Sequence, residues 1–149
     1  MSTHVLVPVD GSPLSMRALE VACEERADAE IVALHVVDPT EPGYGIFGVQ
    51  DEPWSEPRHG SDEWYDQVEE YVDELFDRVE EVADEFDATV RTERRIGRPD
   101  REILEFVDEA EVDHVYLGSH GRDTETRLLV GSVTEAVAFR APVQVTLVR

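Results

Sequence analysis

The chain contains no lysine; each of its 13 basic residues is an arginine. That absence excludes chemistries needing a primary amine: a lysine-dependent phosphate loop, a Schiff-base enzyme, and a receiver domain with its lysine. Basic charge is scarce in any form, 13 residues against 35 acidic ones, for a formal net charge of −22. Without a basic patch to hold a phosphate backbone, nucleic acid is not an expected partner. Cys23 is the one cysteine and cannot make an internal disulfide, which fits a reducing compartment. No apolar run approaches the ~18 residues of a membrane span. The start, "MSTHVLVPVD", enters a strand pattern at once and reads as lacking a signal peptide. The expectation is a cytoplasmic protein.

Aromatics are also few, at 7%, and few aromatics with excess acid can mean disorder. Here 41% of the residues are hydrophobic and fall in periodic blocks, so a folded chain is expected, and 149 residues suit one domain spanning 1–149. The charge would repel itself at low ionic strength, but at ~1 M salt the Debye length shrinks to about 3 Å. An acidic, lysine-free surface therefore reads as halophile-type adaptation to a concentrated-salt cytoplasm, with an ordinary acidic mesophilic protein as the alternative.

What is present reads as alternating strands and helices. "HVLVPV" (His4 to Val9) and "IVALHVV" (Ile31 to Val37) are apolar runs, and Ser12 can cap a helix opening at Pro13. A long connection from Asp38 to Gly60 carries Tyr44, Phe47 and Trp54. From Ser61 to Asp87 the apolar positions Val68, Val72, Leu75, Val79, Val82 and Phe86 have helical spacing, with acids on the other faces. "ATVRTERR" (Ala88 to Arg95) reads as a polar strand, and Pro99 opens a helix with Ile103, Leu104, Phe106 and Val107. "HVYLGS" (His114 to Ser119) is a strand, Ser132 and Glu135 have capping-box spacing, and Val143 to Val148 is the last strand.

The predicted fold is α/β: a single open, mostly parallel five-stranded sheet with helices on both faces. Strands one, two and four are nearly all apolar, as strands buried on both faces are, whereas three and five alternate, as edges do. With right-handed crossovers the order is 3-2-1-4-5. Strands one and four then lie side by side where the winding reverses, and ligands of such sheets bind beyond the strand ends there. Asp10 follows strand one and Gly118 follows strand four. The stretch "GSHGRDTETRLLVGS" runs from Gly118 to the start of the last helix, a natural seat for phosphate. Its glycines Gly118, Gly121 and Gly131 would let backbone approach phosphate, with Ser132 as a hydroxyl donor.

The spacing Gly118-x-x-Gly121, nine residues, Gly131-Ser132 resembles the nucleotide signature of the universal stress protein family. "VLVPVDGS", "LHVVD", "IGRPDREIL", "YLGSHGR" and "LLVGSVTEAV" extend the resemblance over almost the whole chain. It implies an adenine-nucleotide alpha-hydrolase-like fold and, in the ATP-binding branch, a residue-by-residue site. Asp10 would contact ribose, with Pro8 and Val9 lining the site, and Val36 would meet adenine through its backbone. Gly118, Gly121, Gly131 and Ser132 would hold phosphates, and Val133 and Thr134 would extend the helix start. Homodimerisation through Val143 to Val148 is implied as well.

Asp123 and Glu125 depart from the family pattern; beside a triphosphate they either help hold Mg²⁺ or turn outward. Arg122 and Arg127 can offset them as charge-assisted donors. Asp10 also has a simpler reading, as a turn residue before Ser12, since Asp-Gly is a strong turn signal. His4, His35, His59, His114 and His120 lack metal-ligand spacing, and Cys23 reads as a small core residue. No general base with a helper, nor an oriented nucleophile, can be assembled from the motif residues, so none is assigned as catalytic. The expected function is a cytoplasmic stress-response protein that binds ATP as a homodimeric, nucleotide-responsive module. The alternatives are an interaction module without nucleotide binding and a slow Mg-dependent ATPase.

Overall fold

The computed structural model describes residues 3–39, 62–119 and 132–149. Strands and helices alternate along them: β1 (His4–Pro8), α1 (Pro13–Glu25), β2 (Glu30–Val37), α2 (Asp62–Glu85), β3 (Val90–Ile96), α3 (Pro99–Glu109), β4 (His114–Gly118), α4 (Ser132–Arg140) and β5 (Gln144–Val148). The strands form one sheet in the order β3-β2-β1-β4-β5, and each neighbouring pair is parallel. That is the order expected from strand character. β4 is buried along its whole length, whereas β3 is half-buried or exposed throughout and β5 is buried only at Val148.

The two-residue period of the strands divides the core into two layers. Val5, Val7, Val9, Ile31, Ala33, Val37 and Tyr116 face α1 and α2, and meet Leu19, Trp64, Val68, Val72, Leu75 and Val79. Leu6, Leu34, Val36, Val115 and Leu117 face the other way, toward Ile103, Phe106 and Val107 of α3 and Val137 of α4. The stripe predicted for α2 is buried from Val68 to Val79, with Val82 and Phe86 packed at its edge. Trp64 extends that stripe by one turn and is fully buried, a residue the periodicity reading passes over.

Strand β3 is polar for a structural reason. Adjacent residues of a strand point to opposite faces, so Arg94 and Arg95 reach different helices. The Arg94 guanidinium lies 5.4 Å over the Phe76 ring and pairs with Asp73 of α2 at 2.8 Å. Arg95 lies 5.0 Å over Phe106 and bonds to Glu109 of α3. The edge strand is thus clamped to both helix layers by stacked, paired guanidiniums.

At the opposite end of the sheet from the strand tips, β4 carries a polar network. Arg26, which caps the end of α1, donates to the Tyr116 hydroxyl and to His114 Nδ1, both at 3.3 Å. An arginine can only donate, so Nδ1 carries no proton, and Nε2–H donates to Thr146 Oγ1 of β5 at 2.7 Å. Tyr116 in turn donates to Glu25 at 2.8 Å and stacks on the His114 ring at 4.6 Å. Burial, and then the facing Arg26 charge, hold the His114 pKa below the ordinary 6.5. Below 6.5 the unfolded chain therefore takes up a proton that the folded chain resists, so this contribution to stability is full above 6.5 and is lost as pH falls. In concentrated KCl the denaturant midpoint is expected to drop more steeply between pH 7.5 and 5 in the wild type than in His114→Gln. Equal slopes would refute the assignment.

Candidate functional site

The turn from β1 into α1 is built by its own side chains. Val9 N–H donates to the Leu34 carbonyl at 2.8 Å, the last rung between β1 and β2. Asp10 Oδ1 then accepts the Ser12 N–H at 2.9 Å. Gly11 takes φ 83°, a left-handed conformation that costs glycine little. Ser12 Oγ accepts the Ser15 N–H at 3.3 Å and caps α1, with Pro13 in the first helical turn, as the sequence predicts. The Ser15 hydroxyl accepts the Asp10 N–H at 3.3 Å and donates to the Ser12 carbonyl at 3.1 Å. Asp10 is therefore a turn residue, and the turn fixes its carboxylate at the tip of β1 with one oxygen engaged.

Gly118 closes β4 beside this turn. A Cβ there would lie 2.8 Å from the Leu14 carbonyl carbon and 2.9 Å from both Leu14 O and Ser15 N. The sequence reading brings phosphate to Gly118; in the structure the backbone of α1 approaches it, which accounts for this glycine without a ligand. On the other face Thr134 is buried, and its hydroxyl donates to the Gly118 carbonyl at 2.9 Å. Thr134 thus docks the first turn of α4 onto the end of β4, and the outward resource of that turn is its main-chain N–H groups. Val133 beside it is 37% exposed. The helix begins at Ser132 itself, one position earlier than the capping-box spacing with Glu135 places it.

Val36 completes the group. Leu34 turns its carbonyl toward β1 and Val37 turns its own toward Gly97 beyond β3. By the two-residue alternation, the main-chain groups of Val36 face the β1 side, past the point where β1 has left the sheet. Pro8, Val9, Asp10, Val36, Gly118, Val133 and Thr134 therefore gather around the tips of β1, β2 and β4 and the start of α4. Gly121, Arg122 and Gly131 lie outside the described residues, as do Asp123, Glu125, Arg127, His59, His120 and the aromatics Tyr44, Phe47 and Trp54.

Three further observations bear on what the chain can do. Burial, with Glu20 nearby, pushes the Cys23 thiol up to about 11, which makes it a poor nucleophile. Among the described residues no group of three or more His, Cys, Asp and Glu side chains is placed to hold a metal ion. None of the described helices is long and apolar enough to cross a membrane.

Comparison with known proteins shows the family and the fold. The family model described as the universal stress protein family matches residues 1–149. The chain is 31% identical over 148 residues to universal stress protein MJ0531 of Methanocaldococcus jannaschii, covering 97% of this chain and 81% of that one. It is 34% identical to universal stress protein Rv2005c of Mycobacterium tuberculosis, but spans only 45% of that longer protein. Among solved structures, universal stress protein UspA from Lactobacillus plantarum superposes with a TM-score of 0.73 at 24% identity, covering 99% of this chain and 97% of the other. A family protein from Arabidopsis thaliana with AMP bound gives 0.64 at 16% identity, covering 97% and 90%. Other family structures hold cAMP and dAMP. With the family model matching residues 1–149 and the strand order shared with the solved structures, the chain belongs to the universal stress protein family.

Proposed function

We propose that this chain binds ATP at the crevice between β1 and β4, acting as a cytoplasmic, homodimeric, nucleotide-responsive stress protein in concentrated salt. The observation that carries this reading is the convergence, at the carboxyl ends of the central strands, of three groups suited to three parts of a nucleotide. Val36 turns main-chain donor and acceptor toward the gap, which suits the hydrogen-bonding edge of a purine. Asp10 is held with one carboxylate oxygen in the turn, so the other can accept from ribose hydroxyls. The first turn of α4, docked by Thr134 on Gly118, presents main-chain N–H groups and the positive end of a helix dipole to phosphate. The AMP, dAMP and cAMP complexes of related folds support adenylate recognition. Gly121, Gly131, Ser132 and Arg122 are assigned to the phosphates by motif, and Mg²⁺, if used, would accompany the triphosphate. Dimerisation is assigned to β5, where Leu147 is 43% exposed on an edge strand.

The test is calorimetric titration with ATP in concentrated KCl, with and without Mg²⁺, on wild type, Gly131→Val and Asp10→Asn. Asparagine keeps the acceptor for Ser12 N–H and removes the charge, so turn and ligand roles separate. Saturable heat in the wild type, weakened at least ~10-fold in both variants (about 1.4 kcal/mol), is expected. No heat and no fluorescence change in the wild type would leave an interaction module. Steady Mg²⁺-dependent phosphate release that disappears in Asp123→Asn would instead mark a slow ATPase.

A further inference from the structure

His35 is a buried titratable residue that neither core layer requires. It is 1% exposed, and its Nδ1 lies 2.8 Å from the Val9 carbonyl oxygen. A carbonyl only accepts, so Nδ1 carries the proton and Nε2 is a bare acceptor. That Nε2 is buried and has no hydrogen-bond partner among the described residues. Burial keeps the ring neutral by lowering its pKa from the ordinary 6.5. An unpartnered buried nitrogen is a cost that phenylalanine at this position would avoid.

The reason to retain an imidazole lies in the ladder. In a regular parallel pair, a residue whose N–H donates to one strand neighbour receives at its carbonyl the N–H two residues further on. Val9 N–H donates to Leu34 O, so the next rung would run from Val36 N–H to the Val9 carbonyl. That rung is not made: pairing of β1 with β2 ends at Pro8 and Leu34, and no backbone bond joins Val36 to Val9. The His35 ring occupies the Val9 carbonyl in its place.

We infer that His35 is a positioning residue for the nucleotide site: by taking the Val9 carbonyl it ends the β1–β2 ladder one rung early and leaves the Val36 N–H facing the crevice. The same bond ties the base-facing edge of β2 to the residue before Asp10, so one side chain sets the gap between the groups assigned to base and to ribose. Its link to adenylate rests on the function proposed above; its effect on the ladder does not.

Two variants separate the outcomes. His35→Phe keeps the ring and removes the donor, freeing the Val9 carbonyl for Val36. His35→Asn places an amide N–H near the position of Nδ1. In ligand-free protein, hydrogen exchange at the Val36 amide is expected to be fast in the wild type and slowed at least ~10-fold in His35→Phe, whose thermal stability is retained or raised. ATP affinity is expected to fall at least ~10-fold in His35→Phe and to stay within ~3-fold in His35→Asn. A Val36 amide already protected in the wild type overturns the inference, as does a stable His35→Phe protein binding ATP like the wild type. A residue that served stability alone would instead lower the melting temperature in both variants and leave Val36 exchange unchanged. Wild type that binds no adenylate overturns the functional reading and the ligand part of the inference, while the exchange experiment still decides the ladder.

Discussion

Gly118→Ala will lose roughly 2–3 kcal/mol of stability, and Gly118→Val will fail to accumulate as folded protein. The added Cβ meets backbone only, the Leu14 carbonyl group and the Ser15 nitrogen, at 2.8–2.9 Å. No rotamer change relieves such a contact; the first turn of α1 must lift from the end of β4. That turn carries the Ser12 cap, the Ser15 bonds and the Asx turn at Asp10, so displacement loosens several hydrogen bonds together. For a domain with ~5–15 kcal/mol in total, the alanine loss is large and the valine loss decisive. Denaturant midpoints in concentrated KCl measure the alanine variant, and a loss under ~0.5 kcal/mol would show that α1 has room to yield. This bears on how the site is probed. ATP binding that disappears in a Gly118 variant reports the collapse of α1 as readily as a lost ligand contact, which is why Gly131 and Asp10 are the informative positions.

Trp64→Ala is the second large effect, about 3–5 kcal/mol, from emptying a fully buried site of the largest side chain in the core. Trp64 stands in the first turn of α2 and meets the Tyr65 ring edge-on at 4.8 Å. α2 is long, its outer faces are acidic, and its buried stripe of Trp64, Val68, Val72, Leu75, Phe76, Val79 and Ala83 is what holds it to the sheet. Loss of the indole therefore releases the amino-terminal end of the helix first. Hydrogen exchange along α2 should accelerate most between Trp64 and Val72 and least near Ala83. Uniform acceleration would mean that the helix unfolds as one unit with the sheet.

The sheet order was legible because burial writes itself into strand composition. β1 and β4 are apolar because helices cover both faces, and "VRTERRI" is polar because it lies at an edge. The start of α1 was legible for a similar reason: Ser12, Pro13 and the Asp-Gly turn act over a few residues, so their spacing is their geometry. What stayed hidden depends on residues far apart in the chain. Nothing near Gly118 in sequence says that Leu14, more than a hundred positions away, packs against it. Nothing near Thr134 in sequence says that its hydroxyl bonds to the Gly118 carbonyl. His35 offers no metal-ligand spacing, and nothing local in "LHVVD" says that its ring takes the place of a main-chain rung. Trp64 was within reach, four residues before Val68 and in phase with the stripe.

The two rims of the sheet differ in what they can do to a neighbour. One is fenced by guanidiniums already committed to Asp73 and Glu109, so an incoming strand would meet charge held in place. The other ends in β5, with Leu147 open to contact. Were two copies to join through β5, as proposed above, the pair would turn only its β3 rims outward, each lined by those paired arginines.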